Sequence, residues 1–132
     1  MDLIVRILCV GGGGALGALA RWGITWMVEA IGGRRLVELW PLATLAVNGL
    51  GCFFFGLFFE LLRHRVPLGD PWRLVIFVGF FGAFTTYSTF AFDAYRLHTE
   101  QSLASALSYV LVQVVVGWAA LLSGLYLARV IV

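Results

Sequence analysis

Twelve consecutive residues, Gly79-Phe80-Phe81-Gly82-Ala83-Phe84-Thr85-Thr86-Tyr87-Ser88-Thr89-Phe90, bring two glycines and five hydroxyl side chains into an otherwise apolar stretch. Gly and β-branched Thr weaken an α-helix locally, so this composition predicts a break near residues 82–86. Tyr87 and Phe90 stand three apart and share a face. The positive edges of their rings are weak, non-hydrating partners for a small anion. Thr44 and Asn48 are four apart, which directs a hydroxyl and an amide NH2 the same way. Tyr109, Gln113 and Gly117 repeat that spacing. Each of these pairs is also a candidate for an ordinary interhelical hydrogen bond, worth under about 2 kcal/mol in a membrane. The collected polar groups are donors with a single acid, Asp93, nearby. A conduit lined by neutral donors suits an anion better than a cation.

The elements that must hold these groups are membrane spans. Of 132 residues, 61% are hydrophobic and 12% charged, about half the charge content of an ordinary soluble domain. Mean hydropathy is +0.97. Leu39 to Phe59, Leu74 to Phe92 and Gln101 to Ala128 contain no charge, and Ile7 to Val28 contains only Arg21. At about 1.5 Å rise per residue each can cross a hydrocarbon core of about 30 Å. The fold expected is therefore an all-α membrane protein. It is a single transmembrane domain over residues 1–132 with four helices, approximately 5–28, 39–62, 72–95 and 101–129, the third interrupted. Between the spans, Glu29 to Glu38, Glu60 to Arg73 and Asp93 to Glu100 read as loops or helix ends. An N-terminal leader reading of the first twenty residues is disfavoured by Asp2, by Gly11 to Gly14 and by the apolar pattern that resumes after Arg21.

Composition excludes other classes. The basic residues are all Arg, scattered, and form no nucleic-acid stripe. Cys9 and Cys52 lie within apolar runs and read as small hydrophobes, not as a disulfide or metal pair. Arg21 inside a span costs roughly 2.5 to 3.5 kcal/mol on the most lenient scale. It either snorkels to the nearer interface or faces a vestibule, where it attracts anions.

Arginine also speaks to orientation. Arg6, Arg63, Arg65, Arg73 and Arg129 fall on the side of the termini, against Arg34, Arg35 and Arg96 on the other. So small a bias specifies orientation weakly, which admits a homodimer of two inverted copies around an axis in the membrane plane. Four helices packed together fill their own centre, so a conduit calls for oligomerisation. Small residues four apart, Gly13 with Gly17, Gly14 with Ala18 and Gly79 with Ala83, offer surfaces for close helix contact.

Three stretches together resemble the small fluoride channels of the Fluc or CrcB family: residues 14–22 (GALGALARW), residues 41–48 (PLATLAVN) and the twelve residues of span three. The resemblance covers the whole chain. It implies a dual-topology antiparallel homodimer with two pores that passes fluoride out of a microbial cell, across the inner (plasma) membrane. By the same resemblance Asn48 is the pore-lining amide and Tyr87 and Phe90 the aromatic pair. Thr44, Ser88, Thr89, Tyr109 and Gln113 become polar pore neighbours, and Arg21 the vestibule cation. It further implies a structural sodium ion at the dimer centre, held by the backbone carbonyls of Gly82 and Thr85 from each subunit. Tyr87 stands where the family usually has Phe, and Gln113 where a smaller polar residue is common. The rival reading is a small multidrug/proton antiporter, which needs a protonatable carboxylate in span one, where this chain has Arg21.

Overall fold

The computed structural model describes residues 2–63 and 71–131, so Arg65 and Pro67 lie outside the described residues, as do the side chains at 33–39. Within them the chain is helical, with no strand. Helix α1, Leu3–Leu39, is one uninterrupted rod. It continues through the stretch from Glu29 that was expected as a loop or helix end. Pro41 stops it: the residue before a proline is pushed out of the helical region, and proline fits the first turn of the next helix. There Leu42 N bonds Trp40 O at 2.8 Å and Leu45 N bonds Pro41 O at 3.2 Å.

Helix α2 spans Leu42–Arg63. We treat residues 71–84 as α3, which begins at Pro71–Arg73, widens into π-type turns over Leu74–Phe81 and closes at Gly82–Phe84. Thr85 (φ −77°, ψ 158°) and Thr86 (φ −144°, ψ 116°) are extended. Gly82 itself remains helical, at φ −62° and ψ −34°. Helix α4, Tyr87–Glu100, then starts under a cap in which the Thr86 side chain accepts from Thr89 N. Ser102 caps the last helix, α5, Leu103–Ile131, through Ser105 N to Ser102 Oγ at 3.1 Å.

Two closely packed pairs organise the bundle, α2 with α5 and α1 with α3. Glycine makes both possible. A Cβ on Gly56 would meet Leu121 O, and one on Gly124 would meet Phe53 O. In the other pair a Cβ on Gly13 would meet Val75 O, one on Gly17 Phe80 O, and one on Gly79 would lie 2.8 Å from Val10 O. Gly13, Gly17 and Gly79, three of the glycines marked as contact surfaces, are thus spent on packing inside one chain. At the far end of the α2/α5 seam, buried Glu60 takes Arg129 Nε at 3.1 Å and Arg63 at 3.2 Å. Glu60 thus lies in the last turn of its helix, inside the expected second span, and ion pairing at the mouth of the seam lets a carboxylate stay there.

The described helices supply four candidate membrane spans, Leu3–Gly32, Leu42–Arg63, Pro71–Glu100 and Leu103–Ile131. Only 11% of the most apolar window of the first and last is buried inside the chain. Trp22, Trp26, Leu111, Val114 and Trp118 are all more than half exposed. Side chains of this kind turned outward belong against lipid or another apolar surface.

Candidate anion-binding cleft

Asn48 sits in the second turn of α2, facing the two extended residues between α3 and α4. Its Nδ2 donates to Thr86 O at 3.2 Å, and its Oδ1 accepts from Thr86 N at 2.9 Å. The side chain therefore satisfies both backbone groups of Thr86, as membrane burial demands. Around it lies a cleft of about 300 Å³ lined by Asn48, Cys52, Thr86, Tyr87, Phe90 and Gln113, among others. The Tyr87 and Phe90 rings are 5.7 Å apart at 60°, an edge-on pair.

Thr44 and Tyr109 meet one helical turn farther along, on a different partner. Thr44 Oγ1 donates to Asp93 Oδ2 at 2.6 Å, and the Tyr109 hydroxyl approaches the same oxygen at 3.4 Å. Gln113 Nε2 donates in turn to Tyr109 OH at 2.9 Å. All four side chains are buried. Tyr109 is also packed edge-on against Trp40 and tilted against Phe90, each at 5.7 Å. Gln113 is the one member of this chain that also lines the cleft. Helix α4 runs on to Glu100, past the expected end of span three at 95, and with two donors on one oxygen Asp93 can stay buried within it.

Ser88 and Thr89 lie on the exposed first turn of α4, gathered by Thr86 Oγ1 at 3.5 Å and 2.9 Å respectively. Arg21 lies on α1, outside the cleft lining, half-buried, with no ion pair among the described residues. Gly82 and Thr85 line a second space of about 300 Å³, which shares Cys52 and Thr85 with the first. Thr85 Oγ1 turns back to Phe81 O at 2.9 Å.

The residue that sequence reasoning passed over is Thr86, which ties Asn48, Thr89 and the start of α4 together. The signal was there, since Thr86 and Thr89 have the spacing of a helix cap. Asp93 stands near the end of an uncharged run, and nothing in its local pattern announces the Thr44 and Tyr109 hydroxyls that meet it.

The family described as CrcB-like protein, Camphor Resistance (CrcB), matches residues 8–125. This chain belongs to the CrcB family. A relative from Saccharophagus degradans, named fluoride-specific ion channel FluC, is 39% identical over 98% of this chain and 93% of its own length. Relatives of the same name come from Nitratidesulfovibrio vulgaris (41% identical, over 96% of this chain and 98% of the relative) and Paracoccus denitrificans (42% identical, over 89% of each). Those names describe channels, not enzymes. CrcB membership and four spans make the chain a multi-pass plasma-membrane protein.

Proposed function

We propose that the chain is a fluoride-selective channel that exports the ion from a bacterial cell, working as an antiparallel homodimer with two pores. The carrying observation is the hydrogen-bond state of Asn48. One N–H and the Oδ1 are committed to Thr86, which orients the amide and leaves its second N–H for the cleft. Gln113, with one N–H given to Tyr109, keeps a second as well. Two oriented amide donors beside an edge-on ring pair can replace part of a small anion's hydration shell and still release it. Thr44, Ser88, Thr89 and Tyr109 extend the polar surroundings, and Arg21 raises anion concentration at the entrance. The names of the relatives supply the word fluoride.

The same reading includes a structural sodium ion between subunits, on the carbonyls of Gly82 and Thr85. Their chemistry fits: the amides that would claim these oxygens in a continuous helix, Thr86 N and Thr89 N, bond Asn48 Oδ1 and Thr86 Oγ1 instead. Hard carbonyl oxygens suit a hard cation, which when bound would neutralise four facing dipoles across the dimer. The antiporter reading is not favoured, because the relatives are named as ion channels.

Liposomes containing the purified protein test the proposal with ion-selective electrodes. Fluoride efflux is expected, with chloride efflux at the level of protein-free vesicles. Absence of fluoride efflux from a monodisperse, reconstituted preparation would sink it.

A further inference from the structure

We infer that Asn48 is a positioning residue for the Gly82 and Thr85 carbonyls, so that one amide links the anion cleft to the cation seat. The inference rests on the sodium site proposed above.

In an α-helix each N–H bonds the carbonyl four residues back. Thr85 still obeys this, with its N on Phe81 O at 3.2 Å. The next bond in the ladder would be Thr86 N to Gly82 O, and it is intercepted: Thr86 N goes to Asn48 Oδ1 at 2.9 Å. Three residues on, the bond that would occupy Thr85 O is intercepted too, because Thr89 N goes to Thr86 Oγ1 at 3.2 Å. Both diversions pass through Thr86. Asn48 grips it at N and O together, which fixes the extended backbone that aims Thr86 Oγ1 at Thr89.

Without the acceptor at Asn48, the helical ladder offers Thr86 N the carbonyl four residues back, Gly82 O. The helix then lengthens by one residue, the Gly82 oxygen is taken up, and Thr86 turns away from Thr89 N. Thr85 O loses its freedom in the same movement. The two spaces share Cys52 and Thr85 in their lining, so both border this short segment. An ion in one space and an ion in the other are therefore coupled through Thr86.

The test uses the assembled protein in detergent and reads the thermal unfolding midpoint against sodium chloride, with choline chloride as control and no fluoride present. Asn48→Asp keeps an oxygen for Thr86 N, so its half-saturating sodium concentration should stay within about threefold of wild type even if its fluoride flux is lost. Asn48→Leu removes the acceptor and should raise that concentration at least about tenfold. Asn48→Ser, too short to reach Thr86, repeats the test if the leucine variant fails to assemble. Unchanged sodium dependence in the leucine or serine variant would overturn the inference, as would an aspartate variant as impaired as leucine. Wild-type fluoride efflux without any sodium effect overturns it while the channel reading stands; a sodium effect without efflux does the reverse.

Discussion

Asn48 carries two duties with one amide, and they separate on substitution. Asn48→Asp puts a charge where an anion must pass. Two like charges about 4 Å apart at an effective dielectric of about 20 repel by roughly 4 kcal/mol, a loss in flux on the order of a thousandfold. Fluoride-electrode recordings on reconstituted vesicles should show the variant at background, and wild-type flux would remove Asn48 from the conduit. Thr44 behaves differently, because its hydroxyl serves a buried carboxylate. Thr44→Val leaves Asp93 with only the 3.4 Å contact from Tyr109. A lost hydrogen bond to a charged group costs about 1.5 to 3 kcal/mol, to be read as a lower unfolding midpoint in detergent. An unchanged midpoint would mean that Asp93 has another donor. At this scale the sequence told which side chains were polar and shared a face, but not whom they met. Thr44 and Asn48 are neighbours on one helix, yet they bond groups from opposite ends of an eight-residue stretch, Asp93 and Thr86. Period alone cannot foresee that divergence, since it depends on where the third span stops being helical.

Elements were read from runs of uncharged residues, and that rule locates four spans because lipid leaves so few alternatives to a helix. It fails at helix ends. Glu29, Glu60 and Asp93 each open a stretch that reads as a loop or a helix end, and each lies within a helix, Glu29 ten residues before its end. Glu60 and Asp93 have partners from another element, Arg129 and Thr44, which no local pattern announces. Glycine divides the same way. Gly11 and Gly124 look alike in sequence, but a Cβ at Gly11 meets nothing within 4 Å, while one at Gly124 would run into Phe53 O and lie 2.9 Å from Leu57 N. Gly11→Ala should therefore be neutral or stabilise by about 0.5 to 1 kcal/mol through helix propensity. Gly124→Ala should cost about 1 to 3 kcal/mol by forcing α2 and α5 apart. Unfolding midpoints of the two variants in the same detergent compare them directly, and equal midpoints would contradict the α2/α5 seam.

The whole molecule turns on the near balance of arginine between its two sides. Arg63 and Arg129, both on the termini side, are held by Glu60, so the larger group has part of its charge compensated at the membrane edge. Insertion responds mainly to Lys and Arg in short flanks, and five against three leaves little preference. If both orientations insert, each can meet an inverted copy, and the pores of the proposed dimer run in opposite senses. Two exposed positions report the sides separately: Asp2 beside the first helix and Glu100 at the end of α4. Asp2→Cys and Glu100→Cys, each in a chain with Cys9→Ser and Cys52→Ser, can be treated in intact cells with a membrane-impermeant maleimide. With equal insertion about half of each population should label, against full labelling of one and none of the other for a fixed topology. Added arginines at the termini should then bias labelling toward one side and lower fluoride efflux together, because fewer inverted partners remain. Biased labelling with full efflux would show that the working assembly is parallel.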